Sequence, residues 1–363
     1  MSAEIYCGAD RSFEALESRR LLSVSSAAVS AELAQLTHTP TVKATTVPAN
    51  GDVNPYGVAI VPDDFAGGGP LAGGDVLVSN FNNSANLQGT GTTVVSVTPQ
   101  GNTSTFFQGR GLGMTTALNV LRRGFVIVGN VPTPDGANVT PPGSLLILDR
   151  YGNVALTLIN SELLNGPWDS TVDDHGATAD VFVSNVLDGT VTRIDLSLPL
   201  HGDNVQVLSE TRIASGYTFR TDPAALVVGP TGLALDGNTD TLYVASTGDN
   251  AIYAIPEALS THKRSGRGTL VYTDNKHLRG PLALALAPNG DLIAANGDAV
   301  NADATNTHNS ELIEFTTAGK FVDQFQISPT AGGAFGLAIE QSGDSTTLAA
   351  VNDILNELEI WTF

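Results

Sequence analysis

A six-fold recurrence constrains this chain more than any other feature. A short apolar run closed by asparagine, Asp75-Val-Leu-Val-Ser-Asn80, returns as Phe125-Val-Ile-Val-Gly-Asn130 and as Asp180-Val-Phe-Val-Ser-Asn185. Later copies are Thr241-Leu-Tyr-Val-Ala-Ser246, Asp291-Leu-Ile-Ala-Ala-Asn296 and Thr347-Leu-Ala-Ala-Val-Asn352. A shorter segment of small residues precedes each one. Its copies are Pro55-Tyr-Gly57-Val-Ala59, Gly113-Met-Thr115-Thr-Ala117, Pro167-Trp-Asp169-Ser-Thr171, Pro230-Thr-Gly232-Leu-Ala234, Pro281-Leu-Ala283-Leu-Ala285 and Ala334-Phe-Gly336-Leu-Ala338. The central positions are 58, 54, 63, 51 and 53 residues apart. A period of roughly 40 to 60 residues with several short strands per unit is the mark of a β-propeller.

Each unit reads as four strands. The small-residue segment is the innermost, where short side chains let strands crowd the axis, and the Val/Leu run follows. A third, alternating strand comes next (Thr93–Val97, or residues 145–148 and 251–255), then a turn often bearing Gly, then an outer strand such as Val154–Leu158. Composition agrees, with 38 Gly, 18 Pro and only 15% charged residues favouring turns and strands over helices. The sixth unit ends after its third strand, which would leave an open edge. Residues 43–47, Lys-Ala-Thr-Thr-Val, carry outer-strand alternation and are expected to close the ring. The expected fold is therefore an all-β, six-bladed propeller of four-stranded blades over residues 41–363. A seventh blade has no room in the 63-residue gap.

The units resemble the NHL-type repeat, most closely at Gly229-Pro-Thr-Gly-Leu-Ala-Leu-Asp-Gly with Leu242-Tyr-Val-Ala-Ser, and at Pro281 through Ala287-Pro-Asn-Gly-Asp-Leu-Ile-Ala-Ala-Asn296. Propellers of this kind bind proteins or nucleic acid, hydrolyse lactones or act as lyases, so the fold alone names no activity. The six-bladed gluconolactonase/SMP-30 type, which the chain also resembles, holds a metal in the channel mouth with Asn, Asp and Glu. Here Asn54 or Gly57 stands where a Glu ligand would be wanted.

In a propeller the ends of the second strands and the starts of the first share one face. The closing residues Asn80, Asn130, Asn185, Ser246, Asn296 and Asn352 are thus expected around one mouth, with Asn82, Asn83 and Asp298 on the long loops behind them. Trp168 and Asp169 replace the small pair of other units and are expected to reach that mouth. Asn and Asp oxygens suit Ca²⁺, while Asn also braces its own turn by bonding backbone. Both readings stand, so the cofactor expectation is none or Ca²⁺. The leading functional expectation is non-catalytic binding of a small molecule, glycan or protein at this mouth. The alternatives are a Ca²⁺-dependent hydrolase or lactonase using the same mouth, and a structural envelope module.

Other groupings carry less. Asp173-Asp174-His175 lies near Ser170 but in a turn on the opposite face, without a nucleophile elbow. His277 and His308 are the histidines expected near the mouth, too few for a metal site. Gly67-Gly68-Gly69-Pro70 is a turn rather than a phosphate loop. His262-Lys263-Arg264 with Arg267 is a solvated basic cluster. A formal charge of −20 repels a phosphate backbone, so no nucleic-acid partner is expected. No apolar run is long enough for a membrane helix.

Residues 1–40 differ from the body. Phe13-Glu-Ala-Leu-Glu17-Ser18-Arg19-Arg20-Leu21-Leu22 resembles the LEPR-x-LL segment of exported planctomycete-type proteins, with Ser18 in place of Pro. The Arg pair before a short apolar run ending in Val29-Ser-Ala31 is also the order of a secretion signal. The resemblance implies an exported protein, extracellular or at the cell surface. The one cysteine, Cys7, lies in this leader, so the body has no disulfide.

Overall fold

The computed structural model describes residues 30–262, 265–300 and 309–363. The expected leader, residues 1–29, lies outside them. Six four-stranded antiparallel sheets follow one another in chain order. Blade 1 is Val53–Ile60, Val76–Asn82, Thr93–Val97 and Thr103–Gln108. Blade 6 takes Ala334–Ser342, Ser345–Asn352 and Glu357–Thr362 from the C-terminus and Val42–Thr45 from near the N-terminus. No described helix is long and apolar enough to cross a membrane.

The second strands read as continuous apolar runs because both of their faces are buried. Alternate residues serve opposite neighbours. Leu77 packs towards Leu118, Val126 and Val128 of blade 2, whereas Val76 and Val78 pack towards Ala349, Val351 and Leu358 of blade 6. The same division recurs around the ring, giving six inter-blade cores. The chain is packed against this body from Ala31. Leu33 and Leu36 sit in the blade 5–6 core, and the Glu314 carboxylate accepts from the N–H groups of Glu32 (2.9 Å) and Leu33 (2.8 Å).

Ring closure is by the N-terminal strand, with Lys43 opposite Glu359 and Ala44 opposite Leu358. Lys43 Nζ reaches Glu357 at 3.0 Å and Glu359 at 3.1 Å. The Lys43 side chain is 45% exposed, so these pairs contribute at most about 1 kcal/mol. Ala44 is 6% exposed within the blade 6–1 core and matters more. Ala44→Asp, which buries an unpaired charge, is expected to cost about 3 kcal/mol. Lys43→Gln is expected to cost less than about 1 kcal/mol. Urea denaturation of both variants checks the pair, and equal stabilities would refute closure through Ala44.

The small-residue segment encodes more than crowding. In all six blades the ladder between first and second strands slips at this point, between Pro55/Val58, Met114/Leu118, Pro167/Ser170, Pro230/Leu233, Pro281/Leu284 and Ala334/Leu337. Each is a bulge, and a bulge re-aims the side chain within it. The longest gap holds an extra hairpin, Arg220–Asp222 paired with Leu226–Val228, which accounts for its length without another blade.

Candidate functional site

The bulges direct one residue of each small-residue segment along the axis. Tyr56, Trp168, Thr231, Leu282 and Phe335 occupy the same position in five units, and all five line a cavity of about 400 Å³ at the mouth. Met114, the sixth, packs instead into the blade 1–2 core. Phe81 and Val227 complete the walls. The rings of Tyr56 and Phe81 stack with centroids 4.7 Å apart, and Phe335 lies 4.9 Å from Tyr56. Trp168 meets Phe81 edge-on at 5.5 Å and Tyr56 at 5.9 Å. The extra hairpin lies over this cluster with Leu226 and Val227 buried in it, and Gln88 Nε2 donates to Ala224 O at 2.9 Å.

Further along the same strands, Gly57, Thr116, Asp169, Leu233, Ala283 and Gly336 line a second cavity, which shares no lining residue with the first. Asp169 lines it. Its Oδ2 accepts from Leu233 N at 3.0 Å, and burial pushes its carboxyl up to about 7. Because the folded chain keeps this proton after the unfolded chain has released it, stability should fall as pH rises from about 4 to 7, by on the order of 3 kcal/mol. Asp169→Asn keeps the acceptor and removes the titration. Melting temperatures should match wild type near pH 5 and exceed it at pH 8; an unchanged gap across that range would contradict this assignment.

The closing asparagines stand at the blade entrances, where each amide bonds backbone through at least one atom, while Oδ1 of Asn80 and of Asn352 has no partner. Asn130 Oδ1 accepts from Gly113 N at 2.7 Å, Asn185 Oδ1 from Asn165 N at 3.1 Å and Asn296 Oδ1 from Arg279 N at 2.9 Å. Asn80 Nδ2 donates to Thr46 O at 2.9 Å and Asn352 Nδ2 to Ile327 O at 3.2 Å. Ser246 Oγ donates to Asp249 at 2.7 Å. Asn82 Nδ2 donates to Asn86 Oδ1, and Asn83 Oδ1 accepts from Ala85 N within its own loop. Of the residues expected at the mouth, Trp168 and Asp298 line the cavity. His277 is held by Asp274 at 2.6 Å and stacks on Phe321 at 3.9 Å, while His308 lies outside the described residues.

The metal that the resemblance implies finds no cluster of three carboxylates or histidines at the mouth among the described residues, although Oδ1 of Asn54, Asn80, Asn82 and Asn352 has no partner. Calcium takes six to eight oxygens, whereas the mouth-side carboxylates are mostly engaged. Asp298 accepts from Arg279 Nε at 3.0 Å and Gly332 N at 2.8 Å. Asp52 accepts from Thr92 N at 2.8 Å and Thr93 Oγ1 at 3.0 Å. Among the described residues, one group of His and carboxylate atoms is close enough to hold an ion. This is Asp173, His175 and Asp180, with ligand atoms within 4.8 Å of one another, in the hairpin of blade 3 on the opposite face.

Asp353 is the exception at the mouth. It follows Asn352, and its main-chain N–H donates to Gly333 O at 2.9 Å, next to Gly332 of the cavity wall. Among the described residues its carboxylate has neither an ion pair nor a hydrogen-bond donor, and burial raises it to about 7. Tyr56 is raised well above the usual phenol range, chiefly by burial and then by the Asp353 charge. Neither Asp353 nor the aromatic wall stood out in the sequence. The legible signal was the residue before each central position, aromatic in units one, three and six.

No family model matches the sequence, and no curated protein matches it significantly. Solved structures do share the fold. A gluconolactonase from Xanthomonas campestris superposes with a TM-score of 0.51 at 15% identity, covering 87% of each chain. A luciferin-regenerating enzyme gives 0.51 at 11% identity, covering 88% of this chain and 94% of that one. A calcium-binding regucalcin from Agrobacterium tumefaciens gives 0.49 at 11% identity over 87% of each. The expectation of non-catalytic binding at an asparagine ring is corrected on two counts. The structures of similar fold include enzymes, and the cavity at the mouth is an aromatic one lined by none of the six closing residues. The chain has a six-bladed β-propeller fold, which it shares with the solved gluconolactonase and luciferin-regenerating enzyme.

Proposed function

We propose that the protein is a hydrolase of the lactonase type, opening a carboxylic ester bound in the mouth cavity, with Asp353 as general base. The observation that carries this reading is the Asp353 carboxylate, without a hydrogen-bond partner among the described residues and raised by burial to about 7, on a residue whose main chain bonds Gly333 beside the cavity wall. A base is most effective when its pKa lies near the working pH, and perturbed acids beside clefts mark functional sites. The lactonase chemistry of a solved structure with this fold supports the same direction.

The step balances on residues of the chain. Asp353 takes a proton from water as the hydroxide attacks the acyl carbon. The tetrahedral centre then expels the alkoxide by breaking its C–O bond, and the alkoxide takes the proton from Asp353. One water is consumed, giving a hydroxyl and a carboxylic acid, which releases its proton to solvent to become the carboxylate. The aromatic walls exclude bulk water, which strengthens the electrostatic contribution of Asp353. Calcium is given no role in this step, because the described residues bring no cluster of three carboxylates or histidines together at the mouth.

Hydrolysis of p-nitrophenyl acetate and δ-valerolactone at pH 8, with and without chelator, tests the reading. Turnover above background that survives the chelator is expected. Absence of turnover on both, or complete loss with chelator, would contradict it. The leader's resemblance supports an exported enzyme, which signal-peptide cleavage in a secreting host would check.

A further inference from the structure

The polar inventory of the mouth cavity restricts its ligand. Six side chains of the wall, Tyr56, Phe81, Trp168, Val227, Leu282 and Phe335, are apolar or aromatic. Most polar side chains facing the cavity are already committed. Thr247 donates to Pro281 O at 2.6 Å and accepts from Thr231 at 2.8 Å, Gln88 donates to Ala224 O, and Asp298 is held by Arg279. Among the described residues, two buried polar atoms of lining residues have no partner: the indole N–H of Trp168, a residue only 1% exposed, and Oδ1 of Asn54. An orphaned buried donor costs about 1 to 3 kcal/mol, a cost that an acceptor oxygen on a ligand would relieve.

We infer that the cavity takes a neutral, largely apolar lactone or ester whose acyl oxygen accepts a hydrogen bond from Trp168 Nε1, an inference that rests on the hydrolase reading for the acyl group. A polyol lactone would bring several hydroxyls to a wall whose buried unpartnered atoms are one donor and one acceptor, with the Tyr56 hydroxyl as a further polar group. Each unmatched hydroxyl would lose its water without compensation. An alkyl lactone has a single strong acceptor and fills the remaining volume with apolar surface. In the reaction the same N–H would meet the oxygen on which negative charge develops, as an oxyanion donor does.

The chain has two tryptophans, so ¹⁵N-tryptophan labelling yields two indole signals. Trp361 Nε1 already donates to Thr37 O at 2.8 Å and serves as an internal reference. Titration with δ-nonalactone at pH 6 is expected to move the Trp168 signal downfield, saturably, while Trp361 stays fixed. Binding should be at least about ten-fold tighter than that of glucono-δ-lactone. Trp168→Phe, which keeps a ring and removes the N–H, assigns the signal and should weaken δ-nonalactone binding about five- to ten-fold. An unmoved Trp168 signal, or equal affinity for glucono-δ-lactone, overturns the inference. If δ-nonalactone shifts the indole but is not hydrolysed, the ligand class stands and the hydrolase reading falls. If glucono-δ-lactone is hydrolysed while δ-nonalactone leaves the indole unmoved, the hydrolase reading stands and the ligand class falls.

Discussion

Asp353→Asn is expected to lower ester or lactone turnover at pH 8 by about 100- to 10,000-fold, the range for removing a general base. The variant should nevertheless fold. Asparagine has the shape of aspartate, and the wild-type carboxylate has no described partner to lose. At pH 8 wild type must ionise this group while it is largely desolvated, so the amide should leave the melting temperature equal or higher. A stable, inactive variant would place the effect in chemistry. A variant that keeps wild-type turnover would remove Asp353 from the mechanism.

Gly336→Ala is expected to be among the most damaging small substitutions in the chain. A Cβ at this position would lie 1.8 Å from the carbonyl oxygen of Tyr56. That oxygen belongs to the backbone of the neighbouring blade, so no side-chain rotation relieves the clash. Overpacking usually costs about 1 to 3 kcal/mol, and an unyielding backbone contact belongs at or above the upper end. Blade 6 would be pushed from blade 1 at their innermost strands, and Tyr56 and Phe335 would separate at the mouth. Gly343→Ala is the control. Gly343 has nothing within 4 Å, and its φ of +59° limits the expected loss to about 1 kcal/mol. Urea midpoints of the two variants check the contrast, and equal losses would show that crowding at the axis is not what Gly336 provides.

The architecture was legible because it is repeated. Val76, Leu77 and Val78 announce a strand buried on both faces, and five further copies remove the ambiguity of one short apolar run. Closure by residues near 43–47 followed from counting strands in the last unit. The site was less legible, for a physical reason. Asn80, Asn130, Asn185 and Asn296 recur because every blade entrance has the same backbone groups to satisfy, so recurrence marked structure rather than chemistry. Function draws on what differs between blades. Tyr56, Trp168 and Phe335 depart from the small and aliphatic residues of the other units, and the bulge that turns them inward cannot be read from one strand alone. Asp353 has no motif around it; its character comes from burial created by distant segments.

The pH dependence of kcat/KM for the best hydrolysed ester, measured on wild type and Asp353→Asn, tests the account most directly. Because the raised carboxyl acts as a base only when ionised, wild-type kcat/KM should rise through about pH 7 and level above it, and the residual rate of the variant should lack that inflection. The same inflection in both proteins, or a wild-type rate that does not rise through this range, would contradict the assignment of Asp353 and with it the proposed activity of the mouth.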